Sequence, residues 1–239
     1  MLTKSILAML AAIASLAAFD HSYTKFDALL KSHVCQDGVD YDAVKQDPDF
    51  KDVHKRLSGL TADQYDAFTD KQKIAYLINV YNFYTLKLII DNQPLKKGIR
   101  DIKNPWDRTF VPFKGNEVSL DHLEHDVLRK NFNEPRIHFA VVCASQSCPE
   151  LQDFAFTPDK LDDQLDAAAQ EFLRDTSRNV ITDKKMELSK IFEWYGKDFK
   201  ERYGSYTDYI QTTLGLEGKY NVSFLEYDWS LNDASCGEK

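Results

Sequence analysis

The chain has 239 residues, of which 43% are hydrophobic and 28% charged, with a formal net charge of −8. That length suffices for one well-cored domain, and the acidic balance speaks against nucleic acid or an anionic lipid surface as a partner. With only 9 Gly and 7 Pro, the composition is not that of a low-complexity or collagen-like chain.

The N-terminus places Lys4 before an apolar run from Ile6 to Ala18. The run is short for a membrane span, and Ser15-Leu16-Ala17 supplies small residues for cleavage. It reads as a secretory leader over 1–17, followed by a single domain over 18–239. No second long apolar segment follows, so no membrane span is expected in the mature chain, and the location expected is periplasmic or secreted. Four cysteines in an exported chain suggest disulfides. Of the three possible pairings, Cys35 with Cys236 is preferred, which leaves Cys143 and Cys148 to bridge each other or stay free.

Helical spacing is present from Tyr23 to His33, broken at Gly38, and resumes from Asp49 to Leu57. Leu60, Thr61 and Asp63 look like another helix start. The strongest helix runs from Lys71 to Asp91 behind Asp70. Its apolar residues cover most of the circumference, which predicts a central position. Asn79 and Asn82 lie about one turn apart on it. Buried there, they need hydrogen-bond partners, either a neighbouring loop backbone or a ligand. Phe110–Phe113 and Glu117-Val118 bracket a predicted hairpin. Ser119 caps a helix to Lys130 that carries His122, Glu124 and His125.

The run Ile137–Val142 is β-branched and apolar, and predicts a buried central strand. It ends in a polar loop holding Cys143, Ser145 and Cys148. A thiol at the end of a buried strand is well placed to be a nucleophile. Two half-buried structural cysteines are the plain alternative. Beyond this loop come a helix from Thr157 to about Leu173, a hairpin around Asp183-Lys184, helices over Ser189–Tyr203 and Tyr206–Leu214, and a strand from Val222 to Tyr227. The fold class expected is α+β: a mostly helical single domain around a small, mainly antiparallel sheet.

Five ordered motifs carry a resemblance. They are Ala75-Tyr76-Leu77-Ile78-Asn79-Val80-Tyr81-Asn82, Ser119-Leu120-Asp121-His122-Leu123-Glu124-His125, Arg136-Ile137-His138-Phe139-Ala140-Val141-Val142-Cys143-Ala144-Ser145, Ser189-Lys190-Ile191-Phe192 and Tyr227-Asp228-Trp229-Ser230-Leu231-Asn232. Together they resemble the uncharacterised family called domain of unknown function 547, over about Tyr23 to Asn232. The resemblance implies no settled activity. It places Cys143 on the family's cysteine position and leaves Cys35 and Cys236 outside the shared motifs. Asn79 stands where papain- and transglutaminase-like enzymes carry a cysteine near a helix start, so any distant kinship with those folds places the thiol elsewhere.

A free thiol, with a pKa near 8.5, is only a few per cent ionised at neutral pH. A nucleophilic one needs an imidazole, and the imidazole needs an orienting group. On a strand, His138 would lie roughly 16 Å from Cys143 and on the opposite face. His125 from the preceding helix is therefore the preferred base, with Glu124, Asp228 or Asp198 as carboxylate partners. Asn79, Asn82, Arg136, His138 and Ser145 are the candidate substrate-binding residues. A metal site is disfavoured because neither His-Glu-x-x-His nor paired Cys-x-x-Cys is present. No cofactor is expected. The function expected is that of an exported thiol-dependent hydrolase or acyl transferase, acting on amide or ester bonds of an envelope or peptide substrate. The alternative is a non-catalytic periplasmic binding or scaffold protein with structural cysteines.

Overall fold

The computed structural model describes residues 19–36 and 38–237. The leader expected over 1–17 lies outside the described residues. Helices α1 (Thr24–His33), α2 (Tyr41–Gln46), α3 (Asp49–Ser58) and α4 (Ala62–Asp66) pack around α5 (Asp70–Asn92). Thr69 and Gln72 form a capping box at the start of α5, satisfying backbone donors that have no intrahelical partner. From Ile74 to Leu86 every residue of α5 is buried. This agrees with the near-continuous apolar circumference of the sequence. Further helices are α6 (Arg129–Asn131), α7 (Leu161–Arg174), α8 (Lys190–Trp194), α9 (Gly196–Tyr203) and α10 (Tyr206–Leu214).

The fold is mostly helical α+β, as expected, but the strands among the described residues fall into three small sheets rather than one. β1 (Val34–Cys35) pairs antiparallel with β2 (Gly38–Val39), and β3 (Val111–Phe113) with β4 (Asn116–Val118). The third sheet holds β5 (Val180–Ile181), β6 (Lys185–Leu188) and β7 (Asn221–Phe224). β5 and β6 are antiparallel, whereas β6 and β7 are parallel. A second core cluster forms where Phe139, Phe172, Phe192, Phe199 and Ile210 meet under α7 to α10.

Ile137–Val142 is not a strand. Pro135–Phe139 is a turn of 3-10 helix, capped by the Glu134 side chain, and the chain continues to Cys143 without pairing in a sheet. Its apolar side chains are buried as expected. The backbone groups are satisfied differently. The Asn82 side chain donates to the Ala140 carbonyl at 2.8 Å and accepts from the Val142 N–H at 3.0 Å. Asn82 thus supplies what a neighbouring strand would otherwise provide.

The segment around the thiols is tied to the end of the chain. Gln146 N–H donates to Ser230 O, Ser147 N–H to Asp228 O, and Asn232 N–H to Ala144 O. Ser145 and Leu231 form an isolated antiparallel bridge. Gly98, at φ 120°, lets this terminal segment approach, since a Cβ there would collide with the Trp229 carbonyl oxygen. Cys35 and Cys236 are bridged, with Cα atoms 5.7 Å apart at a sequence separation of 201. This is the pairing that the positions of the cysteines suggested. No helix among the described residues is long and apolar enough to cross a membrane.

Candidate active site

A cavity of about 300 Å³ is lined by Glu124 and His125, by His138 and Cys143, and by an aromatic wall that includes Trp106, Trp194 and Trp229. Glu124 and His125 reach it from a π-helix, His122–Leu128, whose start is capped by the Ser119 hydroxyl. In an α-helix adjacent residues diverge by about 100°. The wider π turn, a geometry frequent at functional sites, lets both side chains face one space.

Cys143 is half-buried and carries a free thiol, as does the buried Cys148. Its Sγ lies 3.1 Å from Ser145 Oγ and 3.4 Å from Tyr227 OH. Its own N–H donates to Cys148 Sγ at 3.0 Å. Donation from the Cys148 thiol, then from the Ser145 hydroxyl, the Tyr227 hydroxyl and the Ser145 backbone N–H, outweighs burial. Together these bring the Cys143 pKa down to about 7. Burial and the adjoining Cys143 sulfur push the Cys148 thiol well up, so Cys148 is the proton donor of the pair. Ala144 takes a left-handed φ of 61°, a conformation that costs a non-glycine residue about 1 kcal/mol or more. It turns the chain sharply straight after the thiol.

His138 is fully buried, its side chain only 1% exposed. Its Nε2 lies 2.8 Å from Asp198 Oδ2. Burial works against the Asp198 carboxylate, but hydrogen bonds from His138 and Arg129 hold it well below the usual carboxylate range. Asp198 is therefore an acceptor, and Nε2 carries the proton that it receives. That leaves the lone pair of a neutral His138 on Nδ1, which has no hydrogen-bond partner among the described residues. The ring is stacked on Tyr195 with centroids 3.8 Å apart and planes at 17°. Burial, with the Glu124 carboxylate near its hydroxyl, raises the Tyr195 pKa. Arg129 grips Asp198 through Nε at 2.7 Å and Nη2 at 2.9 Å.

The candidate residues read from the sequence thus separate into three groups. Cys143, His125, Glu124 and His138 share the cavity. His138 reaches it because a 3-10 turn advances far less per residue than a strand, which removes the geometric objection to pairing it with Cys143. Both nitrogens of His125 are occupied: Arg129 donates to Nδ1 at 2.8 Å, and Nε2 faces Asp121 at 3.5 Å. Ser145 is buried against the thiol. The third group lies off the cavity lining. The Asp228 carboxylate accepts from Ser230 N–H and Oγ and shapes the terminal turn. Asn79 clamps both backbone groups of Phe156, as Asn82 clamps residues 140 and 142. Arg136 is the hub of ion pairs to Glu134, Asp162 and Asp166. These four are structural because their polar atoms are spent on the fold.

Two residues of the site carried no local signal. Asp198 was only one of several acids open to pair with an imidazole, and Tyr227 was visible only as the first residue of a motif. Among the described residues there is no cluster of three or more His, Cys, Asp or Glu able to hold a metal ion.

The arrangement is a helical α+β domain whose cavity joins an acidified thiol to a buried, oriented imidazole. Residues 65–173 match the family described as "Protein of unknown function, DUF547". The matched stretch spans α5, the π-helix and the thiol loop, and includes three of the five motifs. No curated protein and no solved structure matches the chain.

Proposed function

We propose that the protein is an exported thiol-dependent hydrolase or acyl transferase acting on amide or ester bonds of an envelope or peptide substrate. The observation that carries this reading is that two residues line one cavity: Cys143, whose pKa is brought down to about 7, and His138, held by Asp198. At neutral pH a thiol of this kind is about half ionised, against a few per cent for an ordinary cysteine. His138 takes the proton of the Cys143 thiol, and the sulfur attacks the substrate carbonyl carbon. The tetrahedral adduct collapses to a thioester, and the leaving amine or alcohol takes its proton from His138. Water or a second nucleophile then gives its proton to His138 and releases the acyl group, regenerating the thiol. Asp198 is the positioning residue that fixes the tautomer and stabilises the imidazolium. The Cys35–Cys236 bridge and the leader-like N-terminus support an oxidising compartment outside the cytoplasm.

The test is brief iodoacetamide labelling at pH 6 and pH 8.5, with peptide mapping. Cys143 is expected to label faster at pH 6 than an unperturbed thiol, with Cys148 unlabelled in the native state, and His138→Asn is expected to slow any acyl-transfer activity found by a substrate screen. A Cys143 that labels only at pH 8.5, or a Cys143→Ala protein that keeps such an activity, would overturn the reading in favour of a binding protein.

A further inference from the structure

The aromatic wall of the cavity gathers all three tryptophans of the chain. Trp229 is the centre, 5.7 Å from Trp106, 5.8 Å from Trp194 and 4.6 Å from Tyr227 between ring centroids. Trp194 is 45% exposed and stands out among the large apolar side chains for its exposure. A wall of π-faces beside a cavity has two uses: it binds apolar groups, or it attracts cations through the ring quadrupoles. Two rings of this wall already receive cations from the chain itself. The Arg100 guanidinium lies 5.3 Å from the Trp229 centroid, and that of Arg129 lies 4.8 Å from the Tyr195 centroid.

The polar lining points the same way. Its carboxylates are Asp121 and Glu124, and among the described residues no Lys or Arg lines the cavity. Burial, with Asp107 and Glu124 nearby, raises the Asp121 pKa although His125 pulls against it. Negative charge is thus in local excess. Arg129 is committed to Asp198 and His125, and Arg100 lies over the Trp229 face. The buried His138 Nδ1, without a hydrogen-bond partner among the described residues, is an acceptor as well. A ligand that satisfies this lining must donate hydrogen bonds and carry positive charge.

We propose that the aromatic and acidic side of the cavity binds a primary alkylammonium group, so that the substrate or acyl acceptor is an amine of the kind found on a lysine side chain. This deepens the thiol-site reading and rests on the same cavity, but its test needs no catalysis.

Because every tryptophan lies in this wall, intrinsic fluorescence reports directly on its occupancy. The probes are n-pentylammonium, 1-pentanol and pentanoate, titrated into the intact protein at constant ionic strength. Saturable quenching by pentylammonium, at least tenfold tighter than by pentanol, is the expected result. Asp121→Asn should weaken the ammonium at least fivefold and leave the alcohol unchanged, with Glu124→Gln as a second variant should the first not fold. Equal binding of alcohol and ammonium, tighter binding of pentanoate, or no response to either carboxylate variant would overturn the proposal. Iodoacetamide reactivity of Cys143 reads the thiol chemistry separately, so failure here and failure of the thiol-site reading are distinguishable.

Discussion

His138 Nε2 donates to Asp198 Oδ2 at 2.8 Å across 60 residues of sequence. The pair decides which nitrogen of a wholly buried imidazole carries the proton. Asp198→Asn exchanges an ionised acceptor for an amide and leaves Arg129 without its carboxylate partner. The expected outcome is a protein less stable by about 1–3 kcal/mol, measured by urea denaturation. The Cys143-dependent acyl-transfer rate should fall by about 100-fold or more, the scale of a lost proton-transfer step. An Asn variant with unchanged rate would remove Asp198 from the mechanism.

The same pair sets a pH dependence. Burial holds the His138 pKa below its ordinary value of 6.5, against the pull of Asp198 and Glu124. As pH falls through about 6.5, the unfolded chain takes up a proton that the folded protein refuses, so stability declines. Asp198 acts in the same direction at lower pH, because its contribution is present above the unfolded carboxylate range and is lost as pH falls through the depressed folded value. The melting temperature of the wild type should therefore drop more steeply between pH 6.5 and 5 than that of His138→Gln. Parallel curves would show that His138 is not the linked group.

Tyr227 and Ser145 each offer a hydroxyl to the Cys143 sulfur. Removing either donor destabilises the thiolate relative to the thiol. In Tyr227→Phe and Ser145→Ala the midpoint of the alkylation-rate profile against pH should move upward from about 7. The melting temperature should change little in Tyr227→Phe, because the ring and its packing remain. A midpoint that stays in place would mean that Cys148 and the Ser145 amide suffice to hold the thiolate.

The two clamping asparagines separate stability from the site. Asn79→Ala orphans the Phe156 N–H and carbonyl, and Asn82→Ala orphans the Val142 N–H and the Ala140 carbonyl. Each loss should cost about 1–3 kcal/mol per buried group left unpaired. Only Asn82→Ala releases the turn that presents Cys143, so only that variant should also slow Cys143 labelling at pH 6 under native conditions. Equal labelling rates in the two variants would show that the turn holds its shape without the clamp.

The Cys35–Cys236 bridge closes a long loop, with a sequence separation of 201. Chain-entropy arguments put the stabilisation from so long a loop at about 5 kcal/mol as an upper bound. Cys35→Ala with Cys236→Ala should lower the urea midpoint while leaving native Cys143 labelling intact, because the bridge does not touch that thiol. An unchanged midpoint would mean that the unfolded chain is not constrained by the link.

The features legible in the sequence were those that local physics decides. The buried circumference of α5 follows from its apolar spacing. The Ser119 cap and the hairpin at Lys114-Gly115 follow from residues next to them. The Cys35–Cys236 pairing was the favoured one of three on position alone. Tertiary structure decided the path of Ile137–Val142. β-branched residues in a short apolar run are compatible with a buried strand or a buried turn, and the outcome depends on which partner satisfies the backbone. Here that partner is the Asn82 side chain, from 58 residues upstream of Ala140. The resulting turn brings His138 into the cavity of Cys143, while Arg129 and Asp121 occupy His125. Likewise Tyr227 reaches the thiol across 84 residues, because the loop after Cys143 is hydrogen-bonded to the last segment of the chain. The sequence alone determined which residue types are present for thiol chemistry. Which imidazole is left with a free nitrogen was decided by both ranges: His125 meets Arg129 and Asp121 at i,i+4 spacing, whereas the tautomer of His138 depends on Asp198, 60 residues away.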